Sequence, residues 1–152
     1  MRANAQLRPR IRQDLRPDVG EYIALAGRRP WAWGEHDCTL FAAGWALSAR
    51  GVDLAVGFRG SYATAEECRA LLKREGGLVA LVSRAAAAHG LSPTDAPGAG
   101  DVGVVRGAIE WRGRVLRPPT AAVCVGPARW ALLTEARGVA IADLPVLSAW
   151  SV

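Results

Sequence analysis

Trp31-Ala32-Trp33-Gly34-Glu35-His36-Asp37-Cys38-Thr39-Leu40-Phe41 is the stretch on which the reading of this chain turns. An aromatic loop ends at Asp37, a residue type that caps helices by accepting hydrogen bonds from the free N–H groups of the first turn. From Cys38 onward Leu40, Phe41, Trp45 and Leu47 recur at helical intervals. The small Ala42, Ala43 and Gly44 among them let a neighbour pack close. The spacing predicts a buried helix from Cys38 to about Arg50. It puts the Cys38 thiol in the first turn, where the helix dipole and unpaired N–H groups favour a thiolate and lower its pKa. A free cysteine is also a common small core residue, so position alone does not make a nucleophile.

Working outward, the N-terminal side predicts a shorter amphipathic helix. Asp18 and Glu21 stand in capping-box spacing, Val19, Tyr22, Ile23 and Ala26 form a stripe, Gly27 closes it and Pro30 follows. On the C-terminal side Thr64 and Glu67 open a third helix through Leu71 and Leu72, which stops at Gly76-Gly77. Leu78, Val79, Leu81, Val82 and Ala85 make a fourth stripe, ending at His89-Gly90. Beyond a turn-rich segment from Ser92 to Gly100 the period changes. Residues 102–105, 121–125, 130–133 and 139–141 are short β-branched or apolar runs separated by Gly, Pro and Arg. Helices first and an antiparallel meander after them make an α+β fold, with N-terminal helices packed on a C-terminal sheet.

The 152 residues suffice for one domain over 18–152, preceded by a flexible basic arm over 1–17. That arm carries Arg2, Arg8, Arg10, Arg12 and Arg16 with no apolar stretch behind them, so it does not read as a secretory signal. It reads as a tail for an acidic partner or as a disordered end. No apolar run approaches the roughly 20 residues that a membrane-spanning helix requires. The net charge of +5 is nearly all arginine. It clusters nowhere but in the arm, which argues against a nucleic-acid binder and leaves that reading the weakest. Cys38, Cys68 and Cys124 show no CxxC spacing, so neither a disulfide framework nor a zinc site is expected. Cys68 and Cys124 read as core, and no cofactor is implied.

Three segments carry a resemblance. The Trp31–Phe41 stretch resembles the segment of NlpC-type cell-wall cysteine peptidases in which the nucleophile follows an Asp at the start of the central helix. Pro97-Gly98-Ala99-Gly100-Asp101-Val102 is similar to the turn that opens their sheet. Thr120-Ala121-Ala122-Val123-Cys124-Val125-Gly126 is similar to the strand that bears their histidine. The resemblance implies a papain-like fold with Cys38 at the nucleophile position and Asp37 before it. With the Phe58-Arg59-Gly60-Ser61-Tyr62 loop and the terminal Ala149-Trp150, the chain further resembles the small NlpC-like proteins of phage, prophage and gene-transfer-agent tail modules. That implies a place in the virion tail, beside the hub and other tail-tip proteins, with peptidoglycan peptide as a possible substrate.

The departure from the pattern is Thr120, which stands where the family has its histidine and cannot exchange a proton near neutral pH. The third polar position would fall near Thr134 or Glu135. The substitutes are His36, two residues before the cysteine, which reads as a loop residue in a local hydrogen bond, and His89, which reads as a helix C-cap. Trp31 and Trp33 are expected at the rim of a Cys38 cleft, as substrate-binding groups or packing anchors. Two functions follow. One is a catalytically degenerate structural and docking subunit of a tail tip; the other is an active thiol endopeptidase or amidase that cuts peptidoglycan peptides during DNA entry.

Overall fold

The computed structural model describes residues 17–152, so the arm expected over residues 1–17 lies, but for Pro17, outside the described residues. Helices α1 (Val19–Arg28), α2 (Cys38–Arg50), α3 (Ala65–Arg74) and α4 (Leu78–Ala88) come first. Strands β1 (Val102–Arg106), β2 (Ile109–Trp111), β3 (Arg114–Leu116), β4 (Pro119–Gly126), β5 (Arg129–Thr134), β6 (Gly138–Asp143) and β7 (Val146–Trp150) follow. The class is α+β. Among the described residues no helix is long and apolar enough to cross a membrane.

The helix ends follow local chemistry. The Asp18 carboxylate accepts from the N–H groups of Gly20 and Glu21 at 2.6 and 3.2 Å. The Thr64 hydroxyl accepts from Glu67 N–H at 3.1 Å, and the Glu67 carboxylate reaches back to Ala63 N–H at 2.7 Å. Helix α1 runs through Gly27 to Arg28, past its expected end. Pro30 sets the stop, because it forces the preceding Arg29 into an extended conformation, with ψ of 138°.

The sheet corrects the expected meander. Its order is β6-β5-β4-β1-β7 with antiparallel neighbours throughout, so only β4 to β6 run as a simple meander. Between β1 and β4 the chain leaves the sheet to form the separate β2-β3 hairpin, and β7 returns to the far side of β1. Only Leu144 and Pro145 join β6 to β7, the two edge strands. That link reaches about 11 Å, whereas four strand spacings in a flat sheet would hold the edges about 19 Å apart. The sheet therefore curls until its edges approach.

The curl separates two apolar clusters. Val102, Val104, Ala121, Val123, Ala131 and Leu133 face the helices and pack with Phe41 and Trp45. On the alternate positions Val105, Ala122, Cys124, Trp130, Leu132 and Ala149 form a second cluster enclosed by the sheet itself. Helix α2 lies on the first face, and α1 closes over it through Tyr22. The Tyr22 hydroxyl donates to the Phe41 carbonyl at 2.6 Å, and its ring centroid lies 5.5 Å from those of Phe41 and Trp45.

A methyl group at Gly44 would stand 2.5 Å from that hydroxyl. Replacing a mid-helix glycine by alanine ordinarily gains about 1 kcal/mol, but here the collision reverses the sign. Gly44→Ala is expected to lower urea-unfolding stability by about 1–3 kcal/mol, and Tyr22→Phe in the same chain to recover most of the loss.

Candidate functional site at the start of helix α2

Asp37 organises the site. It is 1% exposed and accepts three hydrogen bonds: from Leu40 N–H and Gly34 N–H at 3.0 Å each, and from the Tyr62 hydroxyl at 2.6 Å. The first is the helix cap expected from the sequence. The other two draw the loop before α2 and the loop before α3 onto one carboxylate, a link that local spacing does not reveal. Gly34 has φ of +80°, and a Cβ there would run into the Tyr62 carbonyl. The Gly34 carbonyl in turn accepts from Gly60 N–H at 2.9 Å. Burial, and then the bond to Asp37, push the Tyr62 hydroxyl pKa upward.

Cys38 begins α2 as expected and is half-buried. Its thiol meets the Thr39 hydroxyl at 3.9 Å. Burial, followed by the Asp37 carboxylate, pushes its pKa up to about 12. This overturns the expected lowering. A helix dipole lowers a thiol pKa when the nascent anion is solvated or paired with a cation, whereas Cys38 is partly buried and stands beside a carboxylate. The groups acting on it are Asp37, Thr39 and Cys68, and neither histidine is among them.

The candidate bases are otherwise engaged. His36 is buried, and its Nε2 donates to the Ala26 carbonyl at 2.9 Å, pinning the loop to the end of α1. The exposed His89 donates from Nδ1 to the Ala85 carbonyl at 2.8 Å and caps α4. Thr120 pairs with Val105 and shares the strand face of Ala122 and Cys124, opposite to Ala121 and Val123, which face the helices. Its hydroxyl donates to the Pro118 carbonyl at 3.1 Å. The Thr134 hydroxyl closes the β5-β6 turn on the Gly138 carbonyl at 2.8 Å, and Glu135 is exposed in that turn.

Trp31 and Trp33 form an edge-to-face pair with centroids 5.0 Å apart, packed half-buried against the core. A groove of about 490 Å³ lies elsewhere, between α4, the 91–97 loop and β7, and an apolar slot of about 20 Å³ lies between Thr39, Ala42 and Ala121. Neither is lined by Cys38, Trp31 or Trp33. Cys68 and Cys124 are buried. Among the described residues no group of three His, Cys, Asp or Glu side chains is placed to hold a metal ion.

The raised pKa values have a consequence for stability. The Cys38 thiol rises from 9.0 to about 12 and the Tyr22 hydroxyl from 10.0 to about 12. Each folded pKa lies above its unfolded value, so the stabilisation is complete below about pH 9 and is lost as pH climbs towards 12. Urea midpoints are expected to hold up to about pH 9 and fall steadily above it, with a shallower fall in Cys38→Ala. A flat profile to pH 11 would show these groups to be freely ionising.

The fold and the site together define an α+β domain with a cysteine at a capped helix start and, among the described residues, no histidine paired with it. The chain belongs to the family described as a domain of unknown function (DUF6950), whose model matches residues 10–152. No curated protein and no solved structure matches the chain.

Proposed function

We propose that this protein is a structural and docking subunit of a phage-type tail tip, in a phage, prophage or gene transfer agent, placed near the tail hub. In this reading it has an NlpC-like, papain-type fold whose catalytic apparatus is degenerate. The observation that carries the degeneracy is the geometry around Cys38: its thiol meets the Thr39 hydroxyl, His36 is bound to the Ala26 carbonyl, His89 to the Ala85 carbonyl and Thr120 to the Pro118 carbonyl, so among the described residues no imidazole is paired with the thiol. A papain-type attack needs a thiolate and a group to take up and return the proton. The support for the tail assignment is the resemblance of the Trp31–Phe41, Pro97–Val102 and Thr120–Gly126 segments, in that order along the chain. Asp37 as N-cap and Cys38 as first helical residue, both in place, are what an inactive descendant of such a peptidase would keep.

The activity test uses purified protein on purified peptidoglycan. Wild type and Cys38→Ala are expected to release no stem-peptide fragments above buffer, and iodoacetamide labelling of Cys38 is expected to climb only above pH 9. Fragment release by wild type that Cys38→Ala lacks would establish the alternative, an active endopeptidase or amidase with Cys38 as nucleophile. The tail assignment is checked on particles: wild-type protein is expected in purified tails, and hub and tape-measure genes beside its own. Tails assembled and infective without it would end that assignment.

A further inference from the structure

The β2-β3 hairpin stands apart from both clusters of the core. Its register pairs Ile109 with Leu116 and Trp111 with Arg114, so these four side chains share one face, while Glu110 and Val115 share the other. Ile109, Trp111 and Leu116 are 51%, 53% and 41% exposed, and every residue from 108 to 117 is exposed. An isolated two-stranded hairpin is marginal in water, and a contiguous apolar face on one marks a surface that something covers.

The root of the hairpin is nevertheless built firmly. Gly107 N–H donates to the Pro118 carbonyl at 3.0 Å, and the Thr120 hydroxyl donates to the same oxygen at 3.1 Å. A Cβ on Gly107 would stand 2.5 Å from that hydroxyl, so Thr120 and Gly107 pack against each other at the base. The position that resembles a catalytic histidine is thus occupied by a short side chain that fixes how the hairpin leaves the sheet.

Charge identifies the occupant. Arg106, Arg112, Arg114 and Arg117 fall within or beside the hairpin against a single Glu110, a second arginine cluster besides the one expected in the arm, and Arg114 lies on the apolar face itself. The Arg112 guanidinium lies 4.4 Å over the Trp111 ring, an arrangement that keeps the cation at the edge of the patch. A second copy would bring the same excess of arginines against it, and the chain's own arm, with five arginines, carries the same sign. Nucleic acid would answer the charge but not the aliphatic Ile109 and Leu116, since bases stack on aromatic rings. We propose that the Ile109–Trp111–Leu116 face is a docking site for another protein, whose contact surface is an apolar patch bordered by carboxylates. This rests on the docking reading of the protein and specifies the surface that does it.

The test places a photoreactive phenylalanine analogue at position 109 of the full-length protein, in the cell that makes it, with the exposed position 66 on α3 as control. The expected result is an adduct with one protein species, absent from position 66. Its yield should fall at least tenfold with Arg112→Glu and Arg114→Glu together. The adduct should map by mass spectrometry to a site on the partner flanked by Asp or Glu. The charge-reversed chain, altered only at exposed positions, is expected to keep its circular dichroism and urea midpoint, so that lost docking is not lost folding. Four results would overturn the inference: no adduct above the control, an adduct with a second copy, an adduct that nuclease removes, or a yield unmoved by charge reversal. An acid-flanked partner that is not a tail protein would keep the docking site and remove the tail-tip assignment. Wild-type protein found in tails without any position-109 adduct would do the reverse.

Discussion

Asp37→Ala is expected to be among the most damaging single changes, lowering unfolding stability by about 3 kcal/mol or more. The loss of a helix cap alone costs about 1 kcal/mol. Here the same carboxylate also receives Gly34 N–H and the Tyr62 hydroxyl in a site that is 1% exposed. Removing it leaves donors buried without an acceptor, each costing about 1–3 kcal/mol. Asp37→Asn should fall between, since its carbonyl oxygen can cap Leu40 while its NH₂ group faces donors. Tyr62→Phe removes a donor with its demand and should cost less than either. Urea unfolding of the three variants and of the Asp37/Tyr62 double mutant reads this directly. A loss below 1 kcal/mol in Asp37→Ala would mean that the three bonds do not hold the two loops together.

Trp130→Ala is expected to cost about 3–5 kcal/mol, the range for emptying a large aromatic site in a core. Trp130 is fully buried and fills the space enclosed by the curled sheet, lying across Gly103 two strands away. A Cβ on Gly103 would meet its ring at 2.7 Å and the Ser148 carbonyl at 3.0 Å. Gly103→Ala is therefore expected to destabilise by overpacking, about 1–3 kcal/mol. Combining it with Trp130→Phe should be less harmful than the sum, because the smaller ring makes room for the methyl group. Among the described residues the buried Trp130 indole N–H has no hydrogen-bond partner, so Trp130→Phe gives up packing without breaking a hydrogen bond. Thermal unfolding of the set would show it. Trp130→Ala as stable as wild type would mean that the sheet closes without its central ring.

The helices were legible because their signals lie within a few residues of one another. Asp18, Asp37 and Thr64 cap where the spacing of polar and apolar residues puts them. Four of the seven strands were legible as apolar runs. The β2-β3 hairpin was missed because its two-residue turn, Arg112-Gly113, does not use the usual Asn-Gly or Asp-Gly pair. Both residues have positive φ, 50° and 76°, as a type I′ turn demands. Strand β7 was missed because Val146 to Trp150 follows β6 after only two residues, and nothing local says that it pairs with β1.

The candidate site divides along the same line. The sequence alone determined that a helix starts at Cys38 with Asp37 as its cap, since a cap is a contact between residues three apart. It also determined that Thr120 cannot serve as the base. Only the tertiary structure decided that burial and Asp37 raise the Cys38 thiol pKa, that His36 is committed to the Ala26 carbonyl and that Tyr62 bonds Asp37. The physical reason is that a pKa depends on water excluded and charges brought near by distant parts of the chain, and no spacing along the sequence carries that information.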